Sequence, residues 1–159
     1  MKRFTILSIE DNEADFALLK KALETIPDLS LDIINIKNGN SAIDFLYKIN
    51  DFESAPTPNI IILDINLPNI DGKEILKIIK KDEKYKSIPV IIFSTSDYYV
   101  DIEETYKLHA NSYITKTFDI NELYHKITMI GEYWLKLNEL PDKNNFCFIN
   151  REEKKKWEL

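Results

Sequence analysis

Cysteine is almost absent from the 159-residue sequence, in which Cys147 is the single one. An intramolecular disulfide is therefore impossible and a zinc cluster is excluded, so an intracellular, cytoplasmic location is expected. Long hydrophobic runs are absent as well. No segment approaches the roughly 20 apolar residues of a membrane-spanning helix. The first apolar run stops at Glu10, which makes it too short for a signal-peptide core.

Positive charge is scarce relative to negative charge. The 21 Lys and Arg residues stand against 27 Asp and Glu residues, which gives a formal net charge of −6. Phosphate backbones and anionic lipid surfaces would repel such a chain, so nucleic-acid and membrane partners are disfavoured. The length fits one domain that is large enough to bury a core without disulfides or metals.

Short apolar segments alternate with stretches of helical spacing along the chain. The segments of strand length are residues 4–9, 31–36, 59–63, 89–94 and 111–115. Between them, apolar residues recur every three or four positions, most regularly from Ile120 to Leu137. The alternation predicts an α/β fold with a doubly wound, five-stranded parallel sheet. We expect residues 1–140 to form this domain and the polar residues 141–159 to form a tail without a separate output domain.

Charged and hydroxyl side chains follow four of the predicted strands at the point where each strand ends. Ligands of parallel α/β sheets bind beyond the carboxyl ends of the strands, so we expect these side chains to converge at one edge. They are Glu10 and Asp11, Asp64, Ser94, and Lys116.

Most of these residues have an ordinary structural explanation when each is taken alone. The acidic pair would be the N-cap of the next helix, Ser94 a capping hydroxyl and Lys116 a solvated charge. Asp64 is harder to explain, because it ends a buried strand where an unpaired charge is costly. Clustered carboxylates raise one another's pKa unless a cation lies between them. The set therefore predicts a site for Mg²⁺, which prefers oxygen ligands and accompanying phosphate.

Four motifs, in this order, resemble the receiver domain of two-component response regulators. They are IED at 9–11, LDINLPNIDG at 63–72, PVIIFSTS at 89–96 and SYITK at 112–116, and the resemblance covers roughly residues 3–137. It implies the flavodoxin-like (β/α)5 fold. HANSYITK and EYWLKLNELP are most similar to stand-alone receivers that serve phytochrome-type and related sensor kinases.

The resemblance implies a role for each matching residue. Asp64 would be the phosphoacceptor, with Ser94 hydrogen-bonded to the phosphoryl oxygens and Lys116 neutralising one of them. Ser94 and Tyr113 would form the switch. Mg²⁺ would be held by Asp11 and Asp64 directly, by Asn66 through its backbone carbonyl and by Glu10 through water.

These roles imply a signalling protein rather than an enzyme, with only Mg²⁺-dependent self-phosphorylation and slow self-dephosphorylation of its own. A partner histidine kinase would donate the phosphoryl group to Asp64. The new dianion would draw Ser94 inward, Tyr113 would rotate, and the surface of the fourth helix, fifth strand and fifth helix would change. The output would be a protein contact or onward phosphotransfer.

Three other classes of protein compete with this interpretation. An aspartyl-nucleophile phosphatase of the haloacid dehalogenase kind needs a second Asp two residues after the first, where this chain has Asn66. A flavodoxin needs a Ser/Thr/Gly-rich phosphate loop, whereas IEDNEAD is acidic. A degenerate receiver that binds proteins without phosphorylation is favoured only by Thr117, which replaces the family's usual cis-proline. The Lys116–Thr117 peptide would be either trans with a shifted lysine, or cis and strained.

The last helix is longer than a receiver-sized sheet needs. Trp134, Leu137 and Tyr133 are expected to extend beyond the core, and exposed apolar patches mark interfaces. We therefore expect a homodimer through the last strand and helix, and the alternative is that FCFI at 146–149 folds back over the patch. His109 and His125 are expected to be surface residues.

Overall fold

The computed structural model describes residues 2–141. The strands are β1 (Lys2–Ile9), β2 (Leu29–Ile36), β3 (Ile60–Leu63), β4 (Val90–Ser94) and β5 (Ser112–Thr115). The helices are α1 (Glu13–Glu24), α2 (Gly39–Tyr47), α3 (Gly72–Lys81), α4 (Tyr99–Lys107) and α5 (Ile120–Glu132). A 3₁₀ turn at Asn50–Phe52 follows α2, and a π-helical segment at Tyr133–Leu137 continues α5.

The five strands form one parallel sheet in the order β2-β1-β3-β4-β5. The predicted α/β fold with a doubly wound, five-stranded sheet is confirmed. The chain moves outward from β1 to β2 and then returns to the other side of β1, so the strand order reverses between β1 and β3. In such sheets this reversal opens a crevice at the carboxyl ends of the two strands.

Both faces of β3 are buried, as its continuous apolar run predicts. Ile61 and Leu63 belong to the core cluster that includes Ile75 of α3. Ile60 and Ile62 point to the opposite face, into the cluster that includes residues of α1 and α5. The strand therefore has no solvent-facing side, and Asp64 is the first polar residue after it.

Four of the helices begin at an Asn or Asp whose side chain accepts backbone N–H groups of the first turn. The caps are Asn12, Asn38, Asp71 and Asp119. Such a side chain satisfies donors that the helix itself leaves unpaired. Because Asn12 is the cap of α1, Glu10 and Asp11 do not have the capping role that each would have if taken alone.

The prediction that Trp134 extends beyond the core is wrong. Trp134 is 8% exposed and lies in the same core cluster as Phe4 and Ile26. The reason is that β1 and β2 each begin two residues earlier than the apolar pattern indicates, which lengthens the sheet beneath the end of α5. Leu137 and Tyr133 are exposed, as expected.

No helix within residues 2–141 is long and apolar enough to cross a bilayer. The expectations for Cys147, the FCFI segment and the rest of the tail beyond 141 lie outside the described residues.

Candidate functional site

The Lys116 ammonium is the centre of the cluster at the carboxyl edge of the sheet. Its Nζ atom lies 2.6 Å from Glu10 Oε2 and 2.8 Å from Asp64 Oδ2. A third carboxylate, Asp15 Oδ2, lies 2.9 Å away. Lys116, Glu10 and Asp64 are all buried. The structure thus brings together three residues that the sequence predicts at this edge, and it adds Asp15.

Sequence reasoning missed Asp15, although a signal was present. Asp15 is four residues after Asp11, and only residues 10–12 separate the end of β1 at Ile9 from the start of α1 at Glu13. A residue in the first turn of a helix that follows a strand so closely remains near the strand end. Asp15, the fourth acid in IEDNEAD, was therefore a candidate for the same site.

Burial and ion pairing shift the pKa values of Lys116 and Glu10 in opposite directions. Burial alone would lower the pKa of Lys116, but hydrogen bonds to Asp64, Glu10 and Asp15 outweigh it and hold the pKa well above its ordinary value. Burial raises the pKa of Glu10, and the hydrogen bond from Lys116 offsets only part of that effect. The lysine is therefore a permanent cation at neutral pH.

Three carboxylates of this edge are placed to share a metal ion. Ligand oxygens of Glu10, Asp11 and Asp64 all lie within 4.8 Å of one another. Both Glu10 oxygens already accept hydrogen bonds, Oε1 from the Asn12 N–H at 2.9 Å and Oε2 from Lys116. The exposed Asp11 carboxylate has no hydrogen-bond partner within residues 2–141. The oxygen donors suit a hard divalent cation, and Asp11 is the one most available to it.

Asn66 and Ser94 close the other side of Asp64. The Asn66 backbone N–H donates to Asp64 Oδ1 at 2.9 Å, and its side-chain amide donates to Ser94 Oγ at 3.0 Å. The Ser96 N–H also points to Ser94 Oγ, at 3.3 Å. Ser94 is completely buried. The predicted hydroxyl is therefore beside the phosphoacceptor candidate, while the metal role of the Asn66 carbonyl stays a prediction.

Tyr113 connects this edge to α3 and α4 through a chain of polar contacts. Its hydroxyl donates to the Ser96 carbonyl at 2.8 Å, and the Ser96 hydroxyl donates to Asp101. Lys73 then bridges Asp101 at 2.6 Å and Glu104 at 2.5 Å. The hydrogen bond from Lys73 lowers the pKa of Asp101, and burial raises that of Tyr113. The sequence predicted Tyr113 as part of the switch, but it did not predict the contacts of Ser96, Asp101 and Lys73.

Gly72 permits α3 to approach the loop that carries Asp64. A Cβ atom on Gly72 would overlap the backbone oxygen of Asp64 and would lie 2.5 Å from Ile65 Cα. The Gly72 N–H donates to the Ile65 carbonyl at 3.0 Å. The absence of a side chain at this position therefore sets how α3 is seated against the phosphoacceptor candidate.

The Lys116–Thr117 peptide is trans, like every other peptide bond within residues 2–141. Of the two alternatives left open by the sequence, the trans form is observed, but the lysine is not displaced from Asp64. His109 is exposed and has a φ of 68°, and His125 is exposed on α5. Both match the expectation of surface residues.

Residues 6–128 match the family model described as the response regulator receiver domain. The chain belongs to this receiver family. The receiver is 37% identical over 136 residues to response regulator Rcp1 from Synechocystis sp., a match that spans 86% of this chain and 92% of Rcp1. It is therefore a response regulator of two-component signalling.

Solved receiver structures agree with this assignment. The phosphorylated cyanobacterial phytochrome response regulator RcpA is similar with a TM-score of 0.85 and 36% identity, covering 89% of this chain and 100% of RcpA. The Mn²⁺-bound form of Rcp1 is similar with a TM-score of 0.83 and 37% identity, and the match covers 87% of this chain and 99% of Rcp1. The first relative is a phosphorylated protein and the second a metal-bound one.

Proposed function

We propose that this receiver accepts a phosphoryl group on Asp64 from the phosphohistidine of a partner kinase, with Mg²⁺ as cofactor. The observation that carries the proposal is the 2.8 Å contact between Lys116 Nζ and Asp64 Oδ2 inside a group of carboxylates. A buried cation beside one strand-end aspartate is placed to balance the charge of an incoming phosphoryl group.

In the transfer, a carboxylate oxygen of Asp64 attacks phosphorus and forms an acyl phosphate. The bond from phosphorus to the kinase histidine nitrogen breaks, and its electron pair returns to the imidazole. Lys116 donates to one phosphoryl oxygen and the Ser94 hydroxyl to another. Asp64 is already a carboxylate, so positioning and charge balance are enough and no general base is needed.

The residues that would hold Mg²⁺ are Asp11 and Asp64 directly, Glu10 through water and Asn66 through its carbonyl. When bound, the ion would polarise the phosphoryl oxygens and offset the negative charge of the carboxylates. The occupied oxygens of Glu10 support its indirect role, because the Asn12 N–H and Lys116 already use them.

The switch would follow from the position of Ser94. A phosphoryl group that accepts the Ser94 hydroxyl hydrogen draws Ser94 inward, away from the Asn66 and Ser96 N–H groups that donate to its oxygen, and so shifts Ser96 as well. Tyr113 is bonded to the Ser96 carbonyl, so a shift of Ser96 changes the position that Tyr113 prefers. The α4–β5–α5 surface would then change as a shift between two populations.

One relative suggests the pathway. RcpA is a phytochrome response regulator, which supports a phytochrome-type histidine kinase as the cytoplasmic donor. The downstream partner would be another protein or a phosphotransfer domain. We also propose a homodimer through β5 and α5. It is supported by the exposed Met129, Tyr133 and Leu137, which line a shallow groove at the end of α5.

The phosphoacceptor assignment can be tested by intact-mass measurement after incubation with acetyl phosphate and Mg²⁺. The wild type should gain one phosphoryl group and Asp64→Asn none. Asp97→Asn, an exposed aspartate of the β4–α4 loop, is the matched control and should be labelled like the wild type. Full labelling of Asp64→Asn would contradict the assignment, and an unlabelled wild type would favour the unphosphorylated binding module.

A further inference from the structure

Lys116 has three ammonium hydrogens and three carboxylate partners. Two of the partners, Glu10 and Asp64, follow the ends of strands, whereas Asp15 comes from the first turn of α1. Since every hydrogen has an acceptor, a fourth acceptor can bind only if one of the three gives way. Asp15 is therefore a competitor for anything new that arrives at the lysine.

The position of Asp15 is fixed by its own backbone. Its N–H donates to the side chain of the cap residue Asn12 at 3.0 Å, so the start of α1 holds it next to the strand end. Its carboxylate is 27% exposed and has Lys116 as its single hydrogen-bond partner within residues 2–141. The carboxylate thus reaches the lysine from the α1 side, outside the group of three possible metal ligands.

Building on the proposed phosphorylation of Asp64, we infer that Asp15 is a positioning residue that competes with the phosphoryl group for the Lys116 ammonium. Phosphorylation converts Asp64 to an acyl phosphate, and its oxygens then need an N–H from the lysine. The Asp15 side chain is 27% exposed, against 3% for Glu10 and 7% for Asp64, so Asp15 is the acceptor that gives way. The strength of the Asp15 contact determines how firmly Lys116 is held on the α1 side, and hence how favourable the phosphorylated state is.

A purely structural role predicts something different. An acid in the first turn of a helix stabilises the helix through its dipole whether or not it contacts a lysine. Glu13 provides the comparison, because it lies in the same turn and pairs with Lys37 at 2.6 Å instead of Lys116. If only charge near the helix start matters, neutralising Glu13 and neutralising Asp15 should have similar effects on the site.

The first measurement does not involve phosphorylation. We suggest NMR of the ¹⁵N-labelled Lys116 side chain, with the rate of ammonium proton exchange with water recorded at fixed pH. Asp15→Asn should speed exchange by about five-fold, because one charge-assisted hydrogen bond is lost at a partly exposed site. Asp15→Glu should restore the protection, and Glu13→Gln should leave it unchanged. Equal rates in Asp15→Asn and wild type would overturn the inference.

The second measurement is the affinity for beryllofluoride in Mg²⁺, a mimic of the phosphoryl group. Asp15→Asn should bind it about five-fold more tightly, since the lysine is freed from a competitor. An unchanged or weaker affinity overturns the inference, as does an equal gain in Glu13→Gln, which would show a general field effect. If the wild type does not bind beryllofluoride, the proposed function fails, while the exchange rates still decide whether Asp15 positions Lys116.

Discussion

The Tyr113 hydroxyl donates a hydrogen bond of 2.8 Å to the backbone carbonyl of Ser96, two residues after the buried Ser94 hydroxyl. Tyr113 is on β5 and Ser96 is in the loop after β4, so this bond joins the last strand to the β4–α4 loop at the carboxyl edge of the sheet. Any shift of the loop toward a ligand on Asp64 has to change this bond.

We expect Tyr113 to change its rotamer or its exposure when a phosphoryl mimic binds. Crystal structures with and without beryllofluoride would show the change, together with a movement of α4. Tyr113→Phe should lower the free energy of unfolding by about 0.5–1.5 kcal/mol, because one partly buried hydrogen bond is lost. An identical Tyr113 in both structures, with α4 unmoved, would contradict the proposed switch.

Mg²⁺ affinity should depend on Asp11 more than on Glu10. Asp11 has both oxygens available, whereas those of Glu10 accept hydrogen bonds from Asn12 and Lys116. Loss of a residue that acts through water costs about 10–100-fold in metal affinity, and loss of a direct ligand costs more. Calorimetric titration of Asp11→Ala and Glu10→Ala with Mg²⁺ compares them. A larger loss in Glu10→Ala would reverse the two roles.

Gly72→Ala should destabilise the protein and disturb the phosphoacceptor loop. The new methyl group meets the backbone of Asp64 and Ile65, which cannot move aside as a side chain can. Overpacking of this kind costs about 1–3 kcal/mol of unfolding free energy, measurable by urea denaturation. Gly131→Ala is the matched control, because its methyl would meet side-chain ends of Ile26 and Leu23. An equal or smaller loss in Gly72→Ala would be inconsistent with the close approach.

Acid stability should depend on Asp101. Its pKa in the folded protein is below the ordinary 3.8, chiefly because Lys73 donates a hydrogen bond to it. The unfolded chain therefore binds a proton more readily, and the stabilisation present above pH 3.8 is lost as the pH falls through the folded pKa. Unfolding free energies of wild type and Asp101→Asn, measured from pH 5 downward, should converge at the acid end. A constant difference would mean that Asp101 does not titrate as described.

Trp134 is not a suitable position for testing the proposed dimer, because it is buried and its substitution would damage the core. Leu137, 77% exposed, is the suitable position. Light scattering coupled to size exclusion should show a wild-type dimer at tens of micromolar and a monomer for Leu137→Glu. Ile49→Glu, at an exposed apolar residue after α2, should remain dimeric. A monomeric wild type, phosphorylated or not, would exclude the dimer.

The sheet and most of the site could be predicted from the sequence because both depend on strand order. Buried strands produce continuous apolar runs, and parallel topology carries the residues after them to one edge. Helix α4 left no such signal: Thr105 is its one buried residue, and Tyr98, Tyr99 and Val100 at its start are exposed. Its apolar residues therefore show no helical period, and only the family resemblance indicated it.

The contacts that could not be predicted are those made between helices and strand ends. Asp15 reaches Lys116, and Lys73 reaches Asp101, because of how α1, α3 and α4 are seated on the sheet. The position of each helix on the sheet depends on how side chains pack between them, and the periodicity of apolar residues in a single sequence does not give those packing distances. The error at Trp134 has a different origin, because β1 and β2 each begin two residues before their apolar segments.

Tyr113 lies on β5 and Lys116 follows its last residue, three positions later. Their polar contacts lead to helices on opposite faces of the sheet. From Lys116 the route goes to Asp15 and α1, and from Tyr113 it goes through Ser96 and Asp101 to α3 and α4. If Asp64 is phosphorylated as proposed, the consequences along the two routes can be separated. Asp15→Asn removes a contact of the first route, and Tyr113→Phe removes a contact of the second.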